Sequence, residues 1–356
     1  MQDNPNEKTQ QYCRCCSSDS TSDICCPAVP AAGARLTFAD RLGAWKVRWG
    51  IGRMRYRVEP GLYAVGNPDS RSPVLVTANY KLSFDTVRSQ LGGRTAWILV
   101  LDTNGVNVWC AAGKGTFGTG ELVARIDAVR LSQMVSHRTL VLPQLGASGV
   151  SAHEVKRLSG FRVVYGPVHA CDIPAFFDAG MKATPEMRRV RFTLYDRAVL
   201  IPIELVLSFK YVAGAALAFL LLSGLSSEGF SVDRAVTDGV YVVMVIFAAS
   251  LGGTVVTPLL LPWIPGRAFS LKGLWVGLVL AGLISIGFSG FGKGYLTTAA
   301  WFMIVPAIAS FLAMNYTGAT TFTSLSGVKK EVSRALPIQG TAAALGVVVW
   351  IAGRFL

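Results

Sequence analysis

Five long apolar stretches constrain this chain more than any other feature. They fall at about 200–224, 237–257, 273–290, 297–315 and 337–353. At about 1.5 Å of rise per residue they approach or exceed the span of a bilayer's hydrocarbon core. The third and fifth are short and Gly-rich, so their limits are soft. Backbone in that setting must satisfy its hydrogen bonds internally, which predicts an all-α transmembrane domain of five helices over 199–356. Residues 1–198 differ: they hold 25 Lys/Arg and 16 Asp/Glu, against 9 and 5 in residues 199–356. A chain 51% hydrophobic and only 15% charged does not suit one soluble domain.

Basic residues set the expected orientation. Arg188, Arg189, Arg191 and Arg197 precede the first span, Arg267 and Lys272 follow the second, and Lys329, Lys330 and Arg334 follow the fourth. The opposite side offers only Arg234, Lys293 and Arg354. The positive-inside rule then puts the front half in the cytoplasm, the spans in an inner membrane and the C-terminus outside. No secretory leader is visible before Val199, so the seven cysteines are expected to stay reduced. Glu204 and Lys210 read as interfacial, snorkelling side chains in preference to an intramembrane site. Gly287–Lys293 superficially fits GxxxxGK, but Gly294 replaces the Ser/Thr and no strand precedes it.

The front half alternates. Strands are expected at 73–78, 96–101, 139–142 and 161–165, with helices near 82–92, 120–135 and 151–158. Short apolar strands separated by helices predict an α/β, Rossmann-like parallel sheet over residues 61–198. Ligands of such sheets sit beyond the carboxyl ends of the strands. Asn79, the segment Asp102–Lys114, the Pro143–Val150 loop and Gly166–Val168 fall there and should line one site.

Residues 1–60 are expected to be a separate N-terminal extension. The first 34 are Ser-, Cys-, Pro- and Ala-rich and read as disordered. Residues 41–57 are basic and aromatic, which suits anionic membrane lipid better than nucleic acid. Paired thiols at Cys15-Cys16 and Cys25-Cys26 could bind Hg(II), although silent cysteines are the plainer account.

Asn107-Val-Trp-Cys-Ala-Ala-Gly-Lys114 is the most informative stretch. Cys110 falls in the first turns of an expected helix, where the dipole and Lys114 four residues on would favour its thiolate. Three readings compete: a small buried cysteine, a dinucleotide loop through Gly113–Gly118, and a metal-cofactor ligand. The second is weak, because the first Gly comes more than ten residues after the strand.

The octapeptide resembles, at every position, the cap-helix signature of the mercury-methylating corrinoid protein family. The resemblance continues through Val76–Asp85, Leu142–Ala147, Tyr165–Val168 and Asn315–Glu331, covering roughly residues 60–356. The corrinoid domain is also similar to that of the large corrinoid iron–sulfur subunit of acetyl-CoA synthesis. The resemblance implies a cobalamin-type corrinoid with Cys110 as lower cobalt ligand. Its ring and tail would contact Thr77, Asn79, Asn107, Val108, Trp109, Ala111, Ala112, Gly113 and Lys114. Further contacts would come from Pro143, Gln144, Leu145, Gly146, Tyr165, Gly166, Pro167 and Val168. His137, His153 and His169 stand outside any D-x-H-x-x-G motif, in keeping with ligation by sulfur. It further implies methyl transfer to Hg(II), a methyltetrahydrofolate-linked donor, and re-reduction by a ferredoxin-like partner with two [4Fe–4S] clusters. Two alternatives stay open: a methyl carrier of acetyl-CoA synthesis, and a corrinoid-binding membrane transporter or receptor. Against the first, no C-x2-C-x4-C spacing is found among the N-terminal cysteines.

Overall fold

The computed structural model describes residues 29–287, 294–319 and 325–355. The paired cysteines Cys15, Cys16, Cys25 and Cys26, and most of the Gly287–Lys293 stretch, lie outside the described residues. The chain divides into two compact units. One holds residues up to Val47 together with Ile51–Val190, and the other holds Arg48–Gly50 and Arg191–Leu356.

The first unit opens with α1 (Phe38–Arg48) and β1 (Gly61–Val65). It continues through β2 (Val74–Ala78), α2 (Lys81–Ser89), β3 (Ala96–Leu101) and α3 (Val108–Lys114). Then come α4 (Thr119–Ala128), α5 (Leu131–Met134), β4 (Thr139–Leu142), α6 (Ala152–Ser159), β5 (Arg162–Tyr165) and α7 (Ile173–Asp178). The sheet order is β1-β3-β2-β4-β5, with β2, β3, β4 and β5 parallel and β1 antiparallel on β3. β2 and β3 are buried at every position, which explains their largely apolar sequence. One apolar cluster around Leu99, Leu122 and Phe161 and another around Ile98, Leu91 and Phe176 cover the two faces.

Three expectations need correction here. The helix expected over 120–135 breaks where Arg130 takes a left-handed φ of 48°, giving α4 and α5. β1 adds an edge strand to the four that the sequence pattern predicts. Residues 29–34 are not disordered: Val29 is buried in the core, and the Ala32 N–H donates to the Ala64 carbonyl at 2.7 Å.

α1 is tied to α2 by charge. Thr37 caps it, its hydroxyl accepting from the Asp40 N–H while the Asp40 carboxylate accepts from the Thr37 N–H. Asp40 then meets Lys81 at 2.5 Å and Arg88 at 2.7 Å, and Asp85 bridges the same two cations. Burial pushes the Asp40 carboxyl up, but hydrogen bonds from Lys81, Thr37 and Arg88 together hold it well below the usual carboxylate range.

The second unit contains α8 (Leu194–Ala198), α9 (Ile201–Leu222), a small hairpin of β6 (Leu225–Ser226) and β7 (Gly229–Phe230), and α10 (Val232–Leu251). It ends with α11 (Thr257–Leu260), α12 (Phe269–Gly287), α13 (Tyr295–Asn315) and α14 (Leu325–Ala352). Among the described residues, five helical segments are long and apolar enough to cross a membrane. The fifth starts earlier than expected, so Lys329, Lys330 and Arg334 lie on the helix itself, not in a loop. Small residues set the packing. A Cβ on Gly273 would lie 2.6 Å from the Ala309 carbonyl oxygen, and one on Gly277 would lie 2.4 Å from Pro306 Cα. This Gly-xxx-Gly edge of α12 therefore lets α13 approach to backbone contact.

Between α10 and α11 the helix widens into one π turn, Gly252–Val256. Thr254 and Thr257 donate their hydroxyls to the carbonyls of Ser250 and Gly252. Pro258 follows, unable to donate an N–H, and the wider turn makes room for its ring. Beyond it, Arg197 donates to the carbonyls of Pro258 and Leu259, and Lys272 to those of Leu261 and Ile264. Two cations thus complete the carboxyl end of this span.

Candidate functional site

The octapeptide folds as one capped helix. Asn107 is extended, and its side-chain oxygen accepts from the Cys110 N–H at 2.9 Å. Gly115, left-handed at φ 84°, ends the helix. Val108, Ala111 and Ala112 are buried, Trp109 and Cys110 are half-buried, and Gly113 and Lys114 are exposed. The small alanines matter for packing: a Cβ on Gly149 would sit 2.9 Å from Ala112 Cα and 2.2 Å from the Phe117 carbonyl oxygen. The loop after β4 is thereby brought directly against α3.

Asn79 acts beneath this surface, not on it. Its buried side-chain oxygen accepts from the N–H groups of Thr103 and Gly105 and meets the Thr103 hydroxyl at 2.9 Å, while its amide donates to Asp102. It holds the tight turn Asp102–Val106, in which Asn104 and Gly105 are both left-handed, and so aims α3. Thr77 is buried within β2.

Other expected contacts also serve as scaffold. The Tyr165 hydroxyl donates to the Val150 carbonyl at 2.7 Å, and the Gly166 N–H donates to the Leu142 carbonyl. Pro167 is buried and accepts from the Gln144 N–H, while the Val168 N–H donates to the Met187 carbonyl. Pro143, Gln144 and Leu145 keep partly open surfaces, and Gly146 is buried under the Phe117 ring. Gln144 also accepts from Arg188.

Sequence reasoning missed a neighbouring segment. Arg57 pairs with Tyr80 as an isolated antiparallel bridge, and the Lys81 N–H donates to the Tyr56 carbonyl. The Met54 carbonyl oxygen approaches Gly105, and the Arg53 guanidinium lies over the Tyr80 ring at 5.7 Å. The only signal is the alternation of Arg53, Arg55 and Arg57, which reads as a generic basic run.

Burial pushes the Cys110 thiol above its ordinary value, while the Asn107 hydrogen bond and the charges of Lys114 and Arg53 oppose the rise. Burial thus works against the thiolate that the helix position and Lys114 were expected to favour. Among the described residues no three His, Cys, Asp or Glu side chains gather to hold a metal ion.

A cavity of about 460 Å³ opens at the other, amino-terminal ends of the strands, lined by Arg71, Val74, Arg94, His137, Thr139 and Phe177 among others. His137 is occupied there, one ring nitrogen accepting from the Thr139 N–H and the other meeting the Ser72 carbonyl. That cavity does not belong to the Cys110 edge.

Residues 52–177 match the family model described as CO dehydrogenase/acetyl-CoA synthase delta subunit. The acetyl-CoA decarbonylase/synthase complex subunit gamma of Methanopyrus kandleri is 37% identical over 124 residues, 34% of this chain and 26% of that protein. The subunit of the same name from Archaeoglobus fulgidus is 34% identical over 128 residues, 35% and 27% of the two chains. The corrinoid/iron-sulfur protein large subunit of Moorella thermoacetica is 31% identical over 127 residues, 35% and 28% of the two chains. The chain thus spans about a quarter of the length of the curated relatives it matches. The family model falls within the unit that contains Cys110, and together with the last of these relatives it supports a related corrinoid protein.

Proposed function

We propose that the α/β unit binds a corrinoid and that the chain carries methyl groups on it. Cys110 carries this reading: a half-buried thiol in the first turn of a capped helix, within residues 52–177, which match the family model described as CO dehydrogenase/acetyl-CoA synthase delta subunit. The donor set fits the group. A corrin ring supplies most of the donors to its cobalt, so the protein would need to offer only the Cys110 sulfur. When bound, the corrinoid supplies a cobalt centre that takes up and releases a methyl group.

The remaining work falls to the chain. Cys110 would hold the cobalt through its sulfur, as a thiolate. Lys114 and Arg53 stabilise the anion so formed. Asn107 and Asn79 hold the helix and the turn before it, and Trp109, Pro143, Gln144 and Leu145 offer the open surface for ring or tail.

Two methyl acceptors compete. The relatives favour a carrier of the acetyl-CoA-synthesis type over mercury methylation. The complete octapeptide resemblance, joined to five apolar helices, favours transfer to Hg(II) as substrate. On the Hg(II) reading the donor is methyltetrahydrofolate-linked, the reductant is a ferredoxin-like protein with two [4Fe–4S] clusters, and the protein is multi-pass in the inner membrane with the α/β unit in the cytoplasm.

The test uses the full chain, purified anaerobically with corrinoid. Cys110→Ala should shift the cobalt absorption spectrum and lower methyl transfer by at least about 100-fold. Unchanged transfer in that variant would sink the proposal. Offering the methyl-loaded protein Hg(II), or an acetyl-CoA synthase complex with CO and CoA, separates the acceptors: the one left unmethylated is discarded.

A further inference from the structure

Helix α1 has two opposed faces. Asp40, Gly43, Ala44 and Val47 recur at helical spacing and form one of them. Asp40 is bonded to Lys81 and Arg88, Gly43 lies under the Tyr56 ring, and Val47 is buried. At 100° per residue, Phe38, Leu42, Trp45 and Trp49 fall on the opposite side. Phe38 is 81% exposed, Leu42 38% and Trp45 56%. Arg41 and Arg48 flank this apolar stripe on one side and Lys46 on the other. A helix that only covered its domain would present polar side chains there.

A second observation points to what covers the stripe. The turn that ends α1, Arg48–Gly50, groups with the apolar helices and not with the α/β unit. A Cβ on Gly50 would lie 3.1 Å from Ile203 Cδ1 and 3.6 Å from Val206 Cγ1, in the first turns of α9. Arg48–Gly50 therefore belongs with the apolar helices, next to the start of α9.

We propose that the Phe38–Trp49 face is an interfacial anchor that rests on an anionic lipid leaflet. Phe38, Leu42 and Trp45 enter the boundary between headgroups and acyl chains, and Arg41, Lys46 and Arg48 meet lipid phosphates. The Asp40 cluster ties α1 to α2, so the anchor is carried on the α/β unit itself. This anchor is independent of the corrinoid reading and requires only that the five helices cross a bilayer.

The test uses the full chain in nanodiscs containing phosphatidylglycerol, with dansylalanine inserted by amber suppression at Phe38, at Phe209 within α9, or at Glu154 on α6. Brominated acyl chains should quench position 38 at least about twofold, as they quench 209, and leave 154 unaffected. Replacing Arg41, Lys46 and Arg48 by Gln, or omitting phosphatidylglycerol, should weaken quenching at 38 and leave 209 as it was. Emission at 38 that behaves like 154 overturns the anchor. So does blue-shifted but unquenched emission at 38, which would mean protein covers the face. Loss of quenching at 209 as well would overturn the spans with it, and the two failures remain distinguishable.

Discussion

A carboxamide one residue past the end of a strand would ordinarily attract little notice, yet Asn79, which follows Ala78 of β2, organises the approach to Cys110. Its side chain serves four hydrogen bonds from a buried position, and only a carboxamide of this length offers an acceptor and a donor with that shape. Asn79→Ala should orphan buried donors at Thr103 and Gly105 and cost roughly 3 kcal/mol. Thermal unfolding of the full chain in detergent checks this, with corrinoid retention expected to fall in parallel. An unshifted transition would remove Asn79 from the supporting role.

Among elements, the α1–α2 ion cluster carries a pH signature. Asp40 has a folded carboxyl well below its unfolded value, so its stabilisation is fully present above the unfolded value near 4. As pH falls below that point toward the folded value, the stabilisation is lost. Asp40→Asn should therefore destabilise at pH 7 by about 2–3 kcal/mol and flatten the loss of stability below about pH 4. A series of melting curves from about pH 3 to neutrality reads both effects. The cluster also shows where sequence reading ends. The strands β2 and β3 are legible because both faces are buried and their residues are almost all apolar. Asp40 and Lys81 are 41 residues apart, and no local period announces their pairing. β1 escapes notice because it opens on Gly61 after Pro60 and joins the sheet by antiparallel pairing at an edge. At the candidate site, Cys110 and its helix are legible from the octapeptide. That Tyr165, Gly166 and Pro167 brace the loop is not, because backbone partners leave no mark on composition.

For the molecule as a whole, the apolar helices follow a sheet domain, and the matched family model, residues 52–177, lies within that domain. The helical unit coheres through close backbone contact at Gly273 and Gly277, neither of which has room for a side chain facing α13. Gly277→Ile should lower the melting temperature and the yield of folded protein, at a cost of about 2–4 kcal/mol from overpacking. Gly282→Ala, with nothing within 4 Å, is the matched control and should be silent. Equal behaviour of the two variants would remove the packing role. The fifth span shows a limit of hydropathy at this scale. Lys329, Lys330, Glu331 and Arg334 hide the first turns of a helix whose backbone runs continuously from Leu325 to Ala352.

The π turn at Gly252–Val256 amounts to one surplus residue in an otherwise regular helix. Everything after it is rotated by about 100° from the phase set by α10. That rotation fixes which way the carbonyls capped by Arg197 and Lys272 face. A homologue lacking one residue here would have to move both basic side chains to compensate, so a gap at this place in an alignment should travel with changes at positions 197 and 272. The helix is thus a length gauge, and its calibration can be read from the gap pattern of its descendants.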